Sequence, residues 1–581
     1  MKNKISERKF LAFYLSLTAL LYIVTGLQGY DMCDEGWVLT GFQQIFNDPA
    51  SVQYLFLYYL SDCVGGVWNA VFGDYGIVAF RVLGALFMTA TTFVVYKLLR
   101  PYTGRWSLAV GSFWIFLCYG GAFMVFYHDH LTTFLAAAAS YLLFLSLMKN
   151  RPSLMFLSGV MLGINVFARL PNLSLTLLIL LLVPYHRYGG SGRDTLHMAA
   201  SAVTGFIIGV GAVLLLMWAN GHTGVFIDAV SDGFSAVEDT QSNHNFGEMC
   251  RIYALNYIEV LRDTALLFAV PAVVLLVRKR RPGLTLSPRV RIACAILTAA
   301  ISVILNKFTA YNTSVIYALS TATCLFVMLS KRFDKPMKYL SLIVLINMHA
   351  LPLGSDYGIS NMGVNCIWLS APFTVGVFGR LLHERRHDRD VFVMLAVCAV
   401  VTAGVIMKRG VGGTLLQCYF DEGSRFKKTY LIDSPLATTF TTEKNAETLS
   451  PMLKALSAYV DEDDYLLCFQ NIATVHYLTR TRPYLYNPWV WTYDPGNMER
   501  KFERAERERP YLPVVVRDKS MLPHWYEYYP DWNNENAPES YLHNNKKIML
   551  INRFLTRHRY RKVWENDVLQ ILVPPSLYKR P

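Results

Sequence analysis

The chain has 581 residues, of which 53% are hydrophobic, 14% are aromatic and only 17% are charged, and its formal net charge is +13. This composition excludes a disordered protein and a small disulfide scaffold. It also disfavours a soluble enzyme, because soluble domains are about one quarter charged. Much of the positive charge lies in short loops between apolar runs, where it orients membrane segments, so we expect no nucleic-acid partner.

Apolar segments long enough to cross a bilayer recur over residues 9–407. We count about thirteen predicted spans, near residues 10–27, 76–99, 106–126, 131–148, 153–168, 171–185, 197–219, 262–277, 290–306, 311–330, 338–353, 364–382 and 391–407. Loops rich in Lys and Arg alternate with loops poor in both, and the positive loops are expected in the cytoplasm. The amino terminus is therefore predicted inside the cell, and an odd number of spans places the carboxyl terminus outside.

The chain divides into two predicted domains. Residues 1–409 form a membrane domain with two long outer loops, 28–75 and 220–261, and residues 410–581 form a small extracytoplasmic α/β domain. The α/β assignment rests on short apolar runs separated by polar helical patterns, with strands at 465–470, 512–517, 547–551 and 569–573 and helices at 472–478 and 496–508. The predicted fold class is a polytopic α-helical membrane protein with this α/β domain. Because the C-terminal domain lacks a phosphate-binding glycine loop, we predict no catalytic role for it.

Three carboxylates open the first outer loop, directly after the first span: Asp31, Asp34 and Glu35. A carboxylate at the water–lipid boundary can act as a general base on a hydroxyl, and partial burial raises its pKa toward the working range. The alternative is structural, because Asp34 is also a good cap for a helix over residues 35–46. The residue pattern leaves both interpretations open.

A second polar group, His128-Asp129-His130, lies in a very short outer turn between two apolar segments. Asp129 is placed to cap a helix that starts at Leu131. The same residues are metal-ligand types, but adjacent residues need further partners, which would have to come from the carboxylates of the first loop. The sequence thus requires no cofactor and leaves a divalent metal open.

Two cations also fall on the outer side, Arg169 between two apolar segments and Lys307 in a short turn. A cation in this position is costly unless it meets an anion, and a lipid phosphate is the natural partner for an arginine fork. The alternative is a side chain that extends to the headgroup layer. Asp356 belongs to a further polar outer turn whose chemistry the sequence does not rank.

The arrangement of a first helix followed by a long outer loop that opens with Asp-Glu resembles the GT-C glycosyltransferases. The resemblance is greatest to the branch of protein O-mannosyltransferases and lipid A aminoarabinose transferases. Asp34-Glu35 matches the Asp-Glu motif of that family, whose Asp is the catalytic base, and Asp129 matches its second acidic position. His128 and His130, which flank Asp129, depart from the family pattern.

Two basic elements extend the resemblance. Arg169-Leu170-Pro171 stands where relatives often have Lys-Gly-Pro, and Asn306-Lys307 followed by Tyr311 resembles an element that contacts the lipid phosphate. The likeness covers the architecture of the membrane part but only short patches of residues.

The resemblance implies a hexosyl- or pentosyltransferase of the cell (inner) membrane. A sugar would pass from a polyprenyl-phosphate donor to an acceptor hydroxyl on the outer face, with inversion of its configuration. The acceptor would be a glycan, a lipid or a protein, and membrane lipids would be further partners. Asp34 would be the base, oriented by Glu35 and Asp129, and the remaining candidates would bind substrate: Arg169, Lys307, Tyr311, His128, His130, Asp31 and Asp356. Three alternatives remain: an envelope polysaccharide polymerase or ligase, a transporter or flippase of lipid-linked sugars, and a non-catalytic scaffold.

Overall fold

A computed structural model describes the chain except for residues 1–5, 120–124, 239–245, 282, 309–312, 356–357, 360–362, 386–392, several positions between 394 and 409, and residues 419, 520–528 and 579–581. Within some helices a few side chains are also outside the described part, among them that of Lys307. The described residues are mostly helical and include one five-stranded sheet.

The helices of the membrane part follow one another in chain order. They are α1 Glu7–Gly26, α2 Asp34–Gln44, α3 Tyr59–Phe72, α4 Gly76–Leu99, α5 Arg105–Tyr119, α6 His128–Lys149, α7 Pro152–Asn165, α8 Leu182–Arg187, α9 Gly192–Ala219, α10 Thr223–Glu238, α11 Phe246–Arg280, α12 Pro288–Phe308, α13 Thr313–Leu329, α14 Lys335–Ala350 and α15 Ser370–Arg385. Two 3-10 segments, Pro49–Tyr58 and Leu170–Leu181, precede α3 and α8.

Five helical stretches among the described residues are long and apolar enough to cross a membrane: Glu7–Gly26, Pro49–Leu99, His128–Lys149, Leu170–Arg187 and Gly192–Ala219. A sixth is added if the pair Phe246–Leu266 and Phe268–Arg280, bent by 44°, counts as one span. Further apolar helices, such as Arg105–Cys118, are shorter. The chain is therefore a helical membrane protein, whereas the number of thirteen spans stays a prediction.

The two predicted outer loops contain helices. Residues 28–75 hold α2, the segment Pro49–Tyr58 and α3, and residues 220–261 hold α10 and the beginning of α11. In α2, ten of the eleven residues are buried. Charge and hydropathy predict such a segment as a loop because it is too polar to span lipid, but packing against the rest of the protein makes a helix stable there.

The C-terminal domain holds a mixed sheet of strand order β2-β1-β3-β5-β4, in which β1 is parallel to both β2 and β3 and the other pairs are antiparallel. Its elements in chain order are α16 Glu443–Leu456, β1 Tyr465–Phe469, α17 Thr474–Thr479, β2 Arg482–Pro483, α18 Pro495–Glu508, β3 Val514–Asp518, α19 Glu539–Arg557, β4 Arg561–Glu565 and β5 Leu569–Val573.

One of the four predicted strands is wrong. Residues 547–551 lie inside α19, whose buried side chains recur at helical spacing: Lys547, Ile548, Ile551, Phe554 and Leu555. A short apolar run does not distinguish a strand from a buried helix. The other three predicted strands and both predicted helices are present.

One hydrophobic core joins the two parts of the chain. Buried side chains from residues 28–75 and from the residues just before α6, such as Trp37 and Phe126, belong to the same cluster as Ile472 and Val516 of the C-terminal domain. The C-terminal domain is therefore packed directly on the region that holds the predicted site residues.

Candidate functional site

The acidic segment, residues 31–37, begins with a carboxylate that caps a helix. Asp31 Oδ1 accepts the Cys33 backbone N–H at 2.9 Å, and Oδ2 accepts that of Glu35 at 3.0 Å. Asp34 is itself the first residue of α2 and is 8% exposed. Asp34 is therefore not the cap that the structural alternative expected: Cys33 precedes the helix, and Asp31 accepts the Glu35 N–H of its first turn. Burial raises the pKa of Asp31 well above its usual range, and the charges of Asp34 and Glu35 act in the same direction.

Glu35 forms a buried ion pair with Arg81 of α4. Arg81 Nη2 lies 2.7 Å from Glu35 Oε2, and Arg81 Nε lies 3.1 Å from Oε1. An ionisable residue within an apolar helix is costly unless it is paired. The motif-based prediction missed Arg81. Its position within the apolar run 76–99 was the signal that could have identified it.

The group His128-Asp129-His130 forms the first turn of α6, which starts three residues earlier than predicted. Asp129 Oδ1 lies 2.9 Å from His128 Nδ1, and Asp129 Oδ2 accepts a hydrogen bond of 2.5 Å from Asn365 Nδ2. His130 Nδ1 accepts the backbone N–H of Tyr127 at 3.1 Å, so the capping side chain is His130 rather than Asp129. Asn365 carried no signal in the sequence.

Arg169 lies close to this turn. Its side chain is buried, Nη1 donates a 2.8 Å hydrogen bond to the Leu351 carbonyl, and its positive charge stabilises the Asp129 carboxylate. Within the described residues this is the one hydrogen bond of the buried guanidinium, so Arg169 keeps donors for a further anion. The structure thus brings Arg169 and Asp129 together.

Tyr127 connects the two acidic groups. Burial raises the pKa of its hydroxyl well above the usual range, and the negative charges of Asp34 and Asp129 act in the same direction. The Tyr127 ring lies 6.1 Å from that of Trp37, one turn after Asp34, and 4.1 Å from that of His128. Asp34 and Asp129, which are 95 positions apart in the sequence, therefore act on one side chain.

Further aromatic rings lie around Tyr127 and His128. The His128 ring stacks on Tyr58 with centroids 4.2 Å apart and an interplanar angle of 7°, and Tyr58 meets Trp37 edge-on at 5.7 Å. On its other side, Trp37 meets Trp489 of the C-terminal domain at 6.3 Å. These aromatic residues carried no motif, so the sequence analysis did not select them.

Three predicted substrate contacts cannot be placed. Tyr311, Asp356 and the side chain of Lys307 lie outside the described residues. A metal site also gains no support: in the part of the chain that the structure describes, no three His, Cys, Asp or Glu side chains are grouped to hold an ion. Asp129 is instead engaged by His128 and Asn365.

Comparison with known proteins finds similarity among solved structures. No protein-family profile matches the chain, and no curated protein matches it. Among solved structures, the chain is similar to the crystal structure of the Archaeoglobus fulgidus oligosaccharyltransferase in the apo form, with 13% sequence identity, a TM-score of 0.43, and coverage of 88% of this chain and 70% of that chain.

Proposed function

We propose that this protein is a membrane glycosyltransferase of the GT-C type. It would move a sugar from a polyprenyl phosphate to an acceptor hydroxyl on the outer face of the cell membrane, with its amino terminus in the cytoplasm and its C-terminal domain outside. The observation that supports this best is the division of roles among the carboxylates of the first outer segment. Asp31 caps α2 and Glu35 is bound by Arg81, whereas Asp34 acts, together with Asp129, on the side chain of Tyr127.

Asp34 is the proposed general base. It takes the proton of the acceptor hydroxyl as the oxygen attacks the anomeric carbon from the face opposite the phosphate. The bond between the anomeric carbon and the phosphate oxygen breaks, its electron pair leaves with the phosphate, and the configuration inverts. A general base contributes about 10²–10⁴ in rate. Glu35 supports this step indirectly, by fixing the segment through Arg81.

Arg169 is the proposed phosphate ligand. Negative charge grows on the phosphate as the sugar leaves, and a buried guanidinium stabilises it without reorganising. The neighbouring Asp129 holds that guanidinium in place by charge. Lys307 and Tyr311 stay predicted contacts of the same phosphate.

The test separates lipid binding from transfer. The probe for binding is undecaprenyl phosphate added to the purified protein in nanodiscs, and transfer is followed as release of polyprenyl phosphate from a panel of synthetic polyprenyl-phosphate sugars incubated with membrane acceptors. We expect Asp34→Asn to bind the lipid as the wild type does and to lose transfer by about 100-fold or more. We expect Arg169→Gln to weaken lipid binding.

Two outcomes contradict the proposal. Full transfer by a folded Asp34→Asn protein removes the base assignment. Movement of a lipid-linked sugar across liposomes without release of the sugar identifies a transporter or flippase instead.

A further inference from the structure

The C-terminal domain holds the acidic segment directly. Thr474 of α17 donates its backbone N–H to the Met32 carbonyl at 3.0 Å and its hydroxyl to the Asp31 carbonyl at 2.8 Å. Trp37 Nε1 donates to Asn487 Oδ1 at 3.0 Å. The segment that carries the proposed base is therefore bounded on one side by the C-terminal domain.

The contact falls at the end of the sheet where the parallel strands β1 and β3 finish. The chain passes from β1 to β2 on one side and then returns to β3 on the other, so the strand order reverses between the parallel strands β1 and β3. In open α/β sheets, ligands bind at the carboxyl ends of the strands on either side of such a reversal. Asn471 follows β1 and Asp518 ends β3, and Cys33 lies against both: its Sγ is 3.7 Å from Asn471 Oδ1, and the charge of Asp518 acts on its thiol.

Residues 470 and 471 have two unusual features at this end of the sheet. Gln470, which precedes Asn471, has a backbone φ of 76°, a costly conformation for a residue other than glycine that occurs preferentially at functional sites. Asn471 is 7% exposed, and its Oδ1 accepts the Trp489 indole N–H at 2.8 Å. Within the described residues its amide Nδ2 makes no hydrogen bond, so the N–H donors of this amide remain for a ligand.

We propose, on the basis of the proposed function, that the carboxyl ends of β1 and β3 form the acceptor site and that the acceptor is a carbohydrate. Asn471 and Asp518 would bind sugar hydroxyls, and the half-buried indole of Trp489 would cover a sugar ring. Trp37, three residues after Asp34, contacts both Tyr127 and Trp489, so the proposed acceptor site would adjoin the segment that carries the base.

A polypeptide acceptor is less compatible with this domain. A peptide commonly binds as an added strand at a sheet edge. One edge strand, β2, has only two residues and includes Pro483, and the other, β4, carries exposed charged residues such as Arg561 and Lys562. Both features block strand addition.

The experiment measures binding without turnover. Wild-type protein in nanodiscs is applied to parallel arrays of oligosaccharides and of peptides, and undecaprenyl phosphate binding is measured on the same samples. We expect oligosaccharide binding that Asn471→Leu and Trp489→Ala each weaken by about tenfold or more, with lipid binding unchanged. Trp532→Ala, which removes another half-buried indole of the domain, should bind as the wild type does.

The outcomes separate this inference from the proposed function. If the wild type binds no oligosaccharide, if it binds peptides instead, or if both variants bind oligosaccharides normally, the carbohydrate site is overturned whatever Asp34→Asn does. If Asp34→Asn transfers sugar normally while the variants lose oligosaccharide binding, the site stands and the assignment of the base fails.

Discussion

Glu35 and Arg81 form a buried bidentate ion pair that ties α2 to α4. The same guanidinium donates to the carbonyls of Gly26, Gln28 and Gly29, at 2.7, 3.1 and 2.8 Å. These five bonds use every N–H donor of the arginine. A single side chain from within the membrane part therefore fixes the chain where the first span passes into the acidic segment, and Glu35 neutralises its charge.

Breaking this pair should be costly. Arg81→Leu or Glu35→Leu each leaves a buried charge without its partner, and we expect a loss of about 3–5 kcal/mol in the free energy of unfolding. The double variant should lose less than the sum of the two. Thermal unfolding in detergent, followed as a double-mutant cycle, measures this, with the exposed pair Glu248–Arg251 as a control expected to contribute little. Additive losses at Glu35 and Arg81 would contradict the pairing.

Asp31 and Asp34 should respond in opposite ways to the same substitution. Asp31→Asn keeps an oxygen that caps α2, so transfer should persist, whereas Asp34→Asn should abolish it. The raised pKa of Asp31 means that the folded protein holds this proton more tightly than the unfolded chain. Stability from this group is thus present at acidic pH and is lost as pH rises from about 4 toward the folded pKa. Asp31→Asn should therefore raise Tm at pH 7 more than at pH 4. An equal change in Tm at both pH values would show that the pKa of Asp31 is not raised by folding.

The contact at Gly36 should tolerate no side chain. A Cβ at this position would lie 2.1 Å from the backbone N and Cα of Thr474, so Gly36→Ala must move α17 away from the acidic segment. We expect a clear loss of Tm and of transfer. The matched control is Gly211→Ala in α9, where a Cβ meets nothing within 4 Å and alanine favours the helix by about 1 kcal/mol. Normal transfer by Gly36→Ala would show that this packing is dispensable.

The C-terminal domain should be acid-sensitive because of His476 in α17. Burial lowers its pKa to about 3, so the unfolded chain binds a proton below about pH 6.5 that the folded domain rejects. Stability is complete above that value and falls by up to about 1.4 kcal/mol per pH unit as pH drops toward 3. Tryptophan fluorescence during unfolding at pH 7.5 and pH 5 should show a smaller difference for His476→Gln than for the wild type. The exposed His383→Gln should behave as the wild type, and an unchanged difference for His476→Gln would exclude this histidine as the cause.

Local pattern was sufficient for several elements. The apolar runs at 10–27 and 76–99 become α1 and α4, and the runs at 465–470 and 569–573 become strands, because burial of apolar surface depends on the residues within each segment. The same pattern also placed carboxylates at the start of a helix after the first span, since hydropathy changes abruptly there.

Contacts between distant residues decided the roles. The roles of the three carboxylates depend on residues far away in the chain. Glu35 pairs with Arg81, 46 positions away, Thr474 holds the backbone of Asp31, and Asp34 acts on Tyr127. The helix at 547–551 likewise depends on what covers it. A sequence by itself determined where charge and apolar surface lie along this chain. Only the tertiary structure decided which charges meet, because pairing energy depends on distance and burial rather than on position in the chain.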